Sequence, residues 1–282
     1  MEESLYTQPQ VIRRIIQAGE RRVKLSVLHY ILLGIIAGGF ISFGAAASSV
    51  AAHNIANFGI SRLVTGLVFP VGLMMIVLVS GELFTGDCLM VMGVWDKKYS
   101  VVSMLRTLMI ILLSNLAGSL LFAFMVSYSG IFSYSDGALG AYMIKIAYGK
   151  CTMMPARAFC SGILCNILVC CAVLIANSAK DIIGRIAGIF FPIMAFVVGG
   201  WEHSIANMFY IPAGIFAALN KDYVSKAQSL YSLGEKQIME AVSVTGFITN
   251  IVPVVLGNVV GAMVFLALPL YLIYKNAYIE NS

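Results

Sequence analysis

Val198-Gly199-Gly200-Trp201-Glu202-His203-Ser204 sets a carboxylate and an imidazole directly after two glycines, at the end of a charge-free run over 186–201. Val79-Ser80-Gly81-Glu82-Leu83-Phe84-Thr85-Gly86-Asp87 does the same at the end of the run 63–81. Glycine weakens a helix, and a carboxylate in hydrocarbon is costly. Non-helical backbone at that depth is tolerated only where it is buried in protein or lines a cavity. The two stretches therefore predict two spanning helices that break inside a membrane and expose polar groups there.

The rest of the chain supports a membrane reading. Of its 282 residues 60% are hydrophobic and 11% charged, against roughly 25% charged in soluble domains. No Asp, Glu, Lys or Arg occurs at 25–61, 63–81, 107–135, 158–179, 186–201 or 241–274. Each run supplies about the 20 apolar residues that a crossing helix needs. The spans are expected near 26–52, 60–81, 100–128, 156–178, 184–200 and 243–274, with shorter helical pieces after the second and fifth. Residues 1–25 read as an N-terminal amphipathic cytoplasmic helix, with Val11, Ile12, Ile15, Ile16 and Val23 opposite Arg13, Arg14, Arg21, Arg22 and Lys24. Residues 26–275 are expected to form one six-helix transmembrane domain and 276–282 a cytoplasmic tail. The acidic start (Glu2, Glu3) and the long first apolar run lead us to expect no cleaved signal peptide.

The halves echo one another. Asn115-x-x-Gly118-x-x-x-Phe122 in the third span matches Asn258-x-x-Gly261-x-x-x-Phe265 in the sixth. Broken second and fifth helices with matched third and sixth predict two three-helix repeats. An odd number of spans per repeat makes them inverted, and paired broken helices in inverted repeats point to a transport pathway. Placing both termini in the cytoplasm puts eleven of the basic residues inside, Arg13, Arg14, Arg21, Arg22, Lys24, Lys97, Lys98, Arg106, Lys180, Arg185 and Lys275, as the positive-inside rule favours.

Other classes have little support. The net charge of +5 is scattered, so nucleic acid is not an expected partner. Cys88, Cys151, Cys160, Cys165, Cys170 and Cys171 form no CxxC pair and read as small buried hydrophobes, with neither metal nor cofactor expected.

At Leu83-Phe84-Thr85, at Trp201-Glu202-His203-Ser204-Ile205-Ala206-Asn207-Met208-Phe209 with Ile211-Pro212, at Lys150 ahead of Gly162-Ile163-Leu164-Cys165-Asn166, and at Gly257-Asn258, the chain resembles the formate/nitrite transporter family of pentameric anion channels. The resemblance spans residues 10–275. It implies an all-α integral membrane fold, aquaporin-like, with six transmembrane helices as two inverted repeats and the second and fifth helices broken. It also implies a homopentamer in the bacterial cytoplasmic membrane, with the lipid bilayer and small inorganic or one-carbon anions as partners.

Under that resemblance Lys150 concentrates anions at the outer side, and His203 either hydrogen-bonds, pairs with or protonates the permeant ion. Thr85 hydrogen-bonds the imidazole. Asn166 and Asn258 either donate near the pore centre or join helices. Glu202, about 100° from His203 on a helix, is expected to brace the broken helix against backbone amides. The family match also makes Phe69, Leu73, Leu83, Phe84, Val169 and Phe196 hydrophobic constrictions, Phe69 towards the outside and Val169 and Phe196 towards the cytoplasm. Such rings exclude hydrated cations and gate by dewetting. Formate, nitrite and hydrosulfide would all suit these residues, with a proton step easiest for hydrosulfide. The competing reading is a membrane-embedded enzyme using His203 and Glu202. It needs a second reactive cluster at the same depth, for which the sequence offers little. A purely structural subunit would gain nothing evident from broken helices that carry buried charge.

Overall fold

The structure, a computed structural model, describes residues 5–279. Glu2, Glu3 and the last three tail residues, 280–282, lie outside the described residues. Among the described residues six helices are long and apolar enough to cross a membrane, so the chain is a multi-pass membrane protein. They are α2 (Val27–Ala52), α3 (Phe58–Leu78), α5 (Val101–Tyr128), α7 (Pro155–Ser178), α8 (Ile182–Gly199) and α12 (Val244–Ala277). Two shorter apolar helices, α4 (Phe84–Trp95) and α9 (Ser204–Ala218), follow the third and eighth. Four more lie outside the spans: α1 (Gln8–Arg22), α6 (Ala138–Cys151), α10 (Lys221–Tyr231) and α11 (Glu235–Ala241). The final helix runs on to Ile279, through part of the expected tail.

The boundaries follow from local chemistry. Ser26, Asn57, Ser100 and Asp181 each accept a backbone N–H at the start of a span, satisfying donors that a helix terminus otherwise leaves open. The second span stops short of the expected 81 because Ser80 adopts φ 142°, outside any helical region. α8 ends at Gly200, whose left-handed φ of 79° closes the helix with its N–H on Phe196 and Val197 carbonyls. A turn at Phe69-Pro70 interrupts α3.

α1 forms where the amphipathic pattern places it, but its apolar face meets protein rather than lipid headgroups. Val11, Ile12, Ile15 and Ile16 are buried, packed on α4, α7 and the end of α12. α6 was not foreseen from the sequence. It starts the second half as α1 starts the first, packing on α9 and α10.

In each half the first and third spans pack together, α2 on α5 and α7 on α12. The matched glycines make the close approach possible. A Cβ on Gly118 would lie 2.1 Å from the Ile35 carbonyl oxygen, and one on Gly261 would lie 2.3 Å from that of Ile163. These are backbone contacts that cannot swing aside, so the small residues set the helix spacing.

The breaks are held by the matched asparagines. Asn115 accepts the Phe84 N–H through Oδ1 at 3.0 Å and donates Nδ2 to the Gly34 and Glu82 carbonyls, both at 2.9 Å. Asn258 accepts the Ser204 N–H at 3.0 Å and donates to the Gly162 carbonyl at 2.8 Å and the Glu202 carbonyl at 3.0 Å. One set of bonds is thus built twice, each tying the start of a half-helix and the extended break before it to the first span of its own repeat. The correspondence extends to charge. Arg22, twelve residues before Gly34, pairs with Glu82 at 2.6 Å, and Lys150, twelve before Gly162, pairs with Glu202 at 2.8 Å.

If glycine spacing sets the α2–α5 and α7–α12 distances, Gly118→Ala and Gly261→Ala each lower stability by about 2 kcal/mol, as overpacking of a close-packed interface does. Gly149→Ala on α6, where an added Cβ meets nothing within 4 Å, leaves it unchanged or slightly raised. Thermal unfolding in detergent, followed by tryptophan fluorescence, reads the difference.

Candidate functional site

His203 stands at the start of α9 as its N-cap. Its Nδ1 accepts the Ala206 N–H at 3.1 Å, so the ring's hydrogen resides on Nε2. That nitrogen lies 3.0 Å from Thr85 Oγ1 and donates to it. The bond joins the starts of the two half-helices. Both side chains are buried. Phe196 stacks on the imidazole with ring centroids 5.8 Å apart, and Phe69 meets Phe196 edge-on at 5.7 Å.

Glu202 and Lys150 act differently from the sequence expectation. Glu202 does not brace the helix through backbone amides. Its Oε1 accepts Lys150 Nζ, and its Oε2 accepts Asn207 Nδ2 at 2.6 Å. Asn207 also donates to Asn250 Oδ1 at 2.7 Å, and Asn250 returns to the Lys150 carbonyl at 2.9 Å. The ring closes because α6, α9 and α12 meet here. It leaves Lys150 a paired charge rather than a free one, with its ammonium also 5.5 Å from the Tyr210 ring. An unpaired carboxylate at such a depth would carry a full desolvation cost, which the lysine and asparagine offset.

Asn166 and Asn258 are fully buried and act between helices. Asn166 donates to the Thr85 carbonyl at 3.1 Å and to the Asn258 carbonyl at 2.7 Å, so the Thr85 backbone is fixed to the α12 frame. The cysteines also depart from pure packing. Cys170 donates to the Thr85 carbonyl and Cys88 to that of Phe84, whereas Cys160 is exposed. Among the described residues no group of three or more His, Cys, Asp and Glu could hold a metal ion.

Three cavities lie in a row. The first, about 130 Å³, is bounded by Phe69, Lys150, Phe196, Glu202 and His203 on the α6 side. The second holds only about 10 Å³ and is walled by Ile41, Phe69, Leu73, Leu83, Val169, Ile193, Phe196 and His203. The third, about 320 Å³ on the α1 side, is lined by Arg14, Arg22, Leu73, Glu82, Leu83 and Asp87 among others. Phe69, Phe196 and His203 are shared by the first two, and Leu73 and Leu83 by the last two.

Two expected constriction residues move. Phe196 lies on the same side as Phe69, not opposite it, because α8 climbs towards the α6 side and Phe196 occupies its last turn before Gly200. Phe84 lines none of the three cavities. Its side chain is buried in the apolar core, and it is its backbone N–H that the site uses.

The sequence reading missed Arg22, Asp87 and Arg62. Arg22 Nε reaches Glu82 and, at 3.2 Å, Asp87 Oδ1, and its signal was the twelve-residue spacing shared with Lys150. Arg62 is the one charge dividing the first two apolar runs, a position that by itself marked it. It joins the lining of the first cavity.

Comparison with known proteins agrees with this architecture. The family model described as formate/nitrite transporter matches residues 9–272. A Bacillus thuringiensis protein named formate channel is 32% identical over 95% of this chain and 96% of its own length. The formate channel FocA of Escherichia coli (strain K12) is 30% identical over 92% of this chain and 90% of its own. Among solved structures, one described as an FNT family ion channel superposes with a TM-score of 0.79 at 25% identity, covering 94% of this chain and 98% of that one. One described as a pentameric formate channel with formate bound gives 0.75 at 29% identity, covering 88% and 98%. The match spans both repeats, both breaks and the helix that precedes each, and on it the chain belongs to the formate/nitrite transporter family, whose members here are named as transporters and channels rather than enzymes.

Proposed function

We propose that this protein passes small monovalent anions, formate first among them, across the cytoplasmic membrane of a bacterium through one pore per protomer of a homopentamer. The observation that carries the reading is the row of cavities, joined by shared walls and narrowest beside His203. Formate stands ahead of nitrite and hydrosulfide because relatives similar over nearly their whole length are named formate channels, and the pentamer is supported by a similar solved structure described as pentameric. The α1 side faces the cytoplasm and the α6 side faces outwards, which keeps both termini inside with the larger share of basic residues.

A void of about 10 Å³ is at the lower limit for one water, so no hydrated ion fits it. An anion reaching His203 has left its hydration shell, at a cost of several kcal/mol in an apolar slot. The neutral imidazole offers the Nε2 hydrogen now given to Thr85. In the first route the arriving anion takes that hydrogen bond in place of the threonine hydroxyl. In the second the ring transfers the Nε2 proton to the anion, which crosses as the neutral acid. For this the ring first takes a proton from water-borne acid of the first cavity at Nδ1, passing through imidazolium, and is left neutral with its hydrogen on Nδ1; the cap on the Ala206 N–H is lost, at about 1 kcal/mol. The first route leaves α9 intact.

Purified protein in liposomes is expected to take up formate saturably. His203→Phe removes the donor and lowers uptake about a hundredfold, equivalent to roughly 3 kcal/mol of barrier. Thr85→Val, which only frees the imidazole, changes it by no more than about tenfold. Uptake unaffected by His203→Phe would refute the role given to that residue. A pH-sensitive dye inside the liposomes separates the routes, since only the neutral acid carries a proton across.

The assembled particle in detergent is expected to have five times the 30.4 kDa chain mass by light scattering. A monomeric or dimeric mass with formate uptake intact would remove the pentamer from the reading.

A further inference from the structure

Three cationic side chains surround the α6-side entrance, and their surroundings differ. Lys150 is bound to Glu202. Lys145 sits over the Tyr231 ring at 4.6 Å and the Tyr142 ring at 5.7 Å. Arg62 has no carboxylate within ion-pair distance among the described residues. Its Nε donates to the Val198 carbonyl at 3.2 Å and its Nη2 to that of Val197, both at the C-terminal end of α8. Gly200 follows in its left-handed conformation, and a Cβ there would stand 2.8 Å from Arg62 Nη2. Glycine thus leaves room for the guanidinium to lie across the helix end.

Carbonyls orient a guanidinium and complement a helix terminus, but they do not cancel its full charge. Of its five N–H donors, those committed to the two carbonyls leave others free. Arg62 lines the 130 Å³ cavity that ends at His203 and also the outer cavity of about 610 Å³ that Lys145 and Lys150 share. It bridges the two compartments that an anion must cross in turn.

We propose that Arg62, rather than the paired Lys150, is the positioning cation that draws the anion into the first cavity and presents it to His203. This inference rests on the pore reading above. A charge held in a concave, low-dielectric mouth raises local anion concentration, and a planar fork binds a carboxylate or nitrite through two oxygens at once. The alternative is that Arg62 only fastens the end of α8.

The test compares formate uptake by unmutated protein, Arg62→Gln and Arg62→Lys in liposomes. A glutamine amide still donates to a carbonyl and loses only the charge, whereas lysine keeps the charge and loses the fork. Arg62→Gln is expected to raise the half-saturating formate concentration about tenfold, the lower end of such focusing, with maximal uptake within about twofold. Arg62→Lys stays within about threefold of the unmutated protein. An unchanged half-saturation in Arg62→Gln, or equal impairment in both variants, would overturn the proposal in favour of a fastening role. In the unmutated protein, where folding is not in question, half-saturation rises several-fold between about 20 and 300 mM salt as screening strengthens, and a flat salt profile would also overturn it. Unmutated protein that passes no anion would refute the pore reading, and this inference with it.

Discussion

Each broken helix depends on one asparagine. Where α3 and α8 stop inside the apolar region, an amide at the start of the following half-helix and a carbonyl in the extended break have no helical partner, and water is not at hand to supply one. Asn115 and Asn258 each satisfy both while also reaching the first span of their repeat. An orphaned buried group costs about 1–3 kcal/mol. Without the asparagines the continuous helix would be the better structure, and there would be no gap for an anion. The small contacts at Gly118 and Gly261 serve the same end, bringing the third span of each repeat near enough for the amide to reach.

The carboxylates impose a second requirement. Glu82 and Glu202 occupy corresponding places, so each needs a cation, and each repeat supplies it from the helix that precedes its first span. This explains why α1 and α6 dock where they do. α1 is held by its buried apolar face and by Arg22, and α6 by its packing on α9 and by Lys150. The two ends of the pathway nevertheless differ. On the α1 side Asp87 adds a second carboxylate to the same arginine, whereas on the α6 side the spare hydrogen-bonding capacity of Glu202 goes to Asn207. The correspondence also sets His203 opposite Leu83 in the repeat, so only one half supplies an imidazole and the narrowest point has a single polar face.

Much of this was legible in the sequence. Charge-free runs located the six spans, and glycine followed by a carboxylate located both breaks. The repeated Asn-x-x-Gly identified the two asparagines before their bonds were known. Pairing was not legible, because Lys150 and Glu202 are 52 residues apart and no local pattern joins them. α6 was missed since Lys145 and Lys150 interrupt a segment whose apolar residues form no clean face, Tyr142 and Ile146 being only partly covered. No local pattern shows that α8 runs towards the α6 side before it breaks, and that direction sets Phe196 beside Phe69. Arg62 lay between two spans as an isolated charge, and its partners are carbonyls, which every sequence has and none reveals.

The cap on His203 constrains how selection can work. An imidazole that already accepts an amide hydrogen at Nδ1 presents one donor and no acceptor to the pathway. On the proposed pathway it donates to an anion but has no lone pair to offer a cation, and the surrounding Leu73 and Leu83 have none either. The narrowest cavity of the proposed pathway has no side-chain oxygen in its walls to replace a cation's water, which disfavours cations with no fixed positive charge at the centre. A permanently charged centre would hold an anion tightly and slow its release, since conduction requires binding weak enough to leave. In the proposed pore, charge in the mouth and a neutral donor at the waist separate capture from passage. The break in α8 makes that division possible: the same Gly200 that lets the Arg62 guanidinium lie across the helix end also turns the chain so that His203 can begin the next helix.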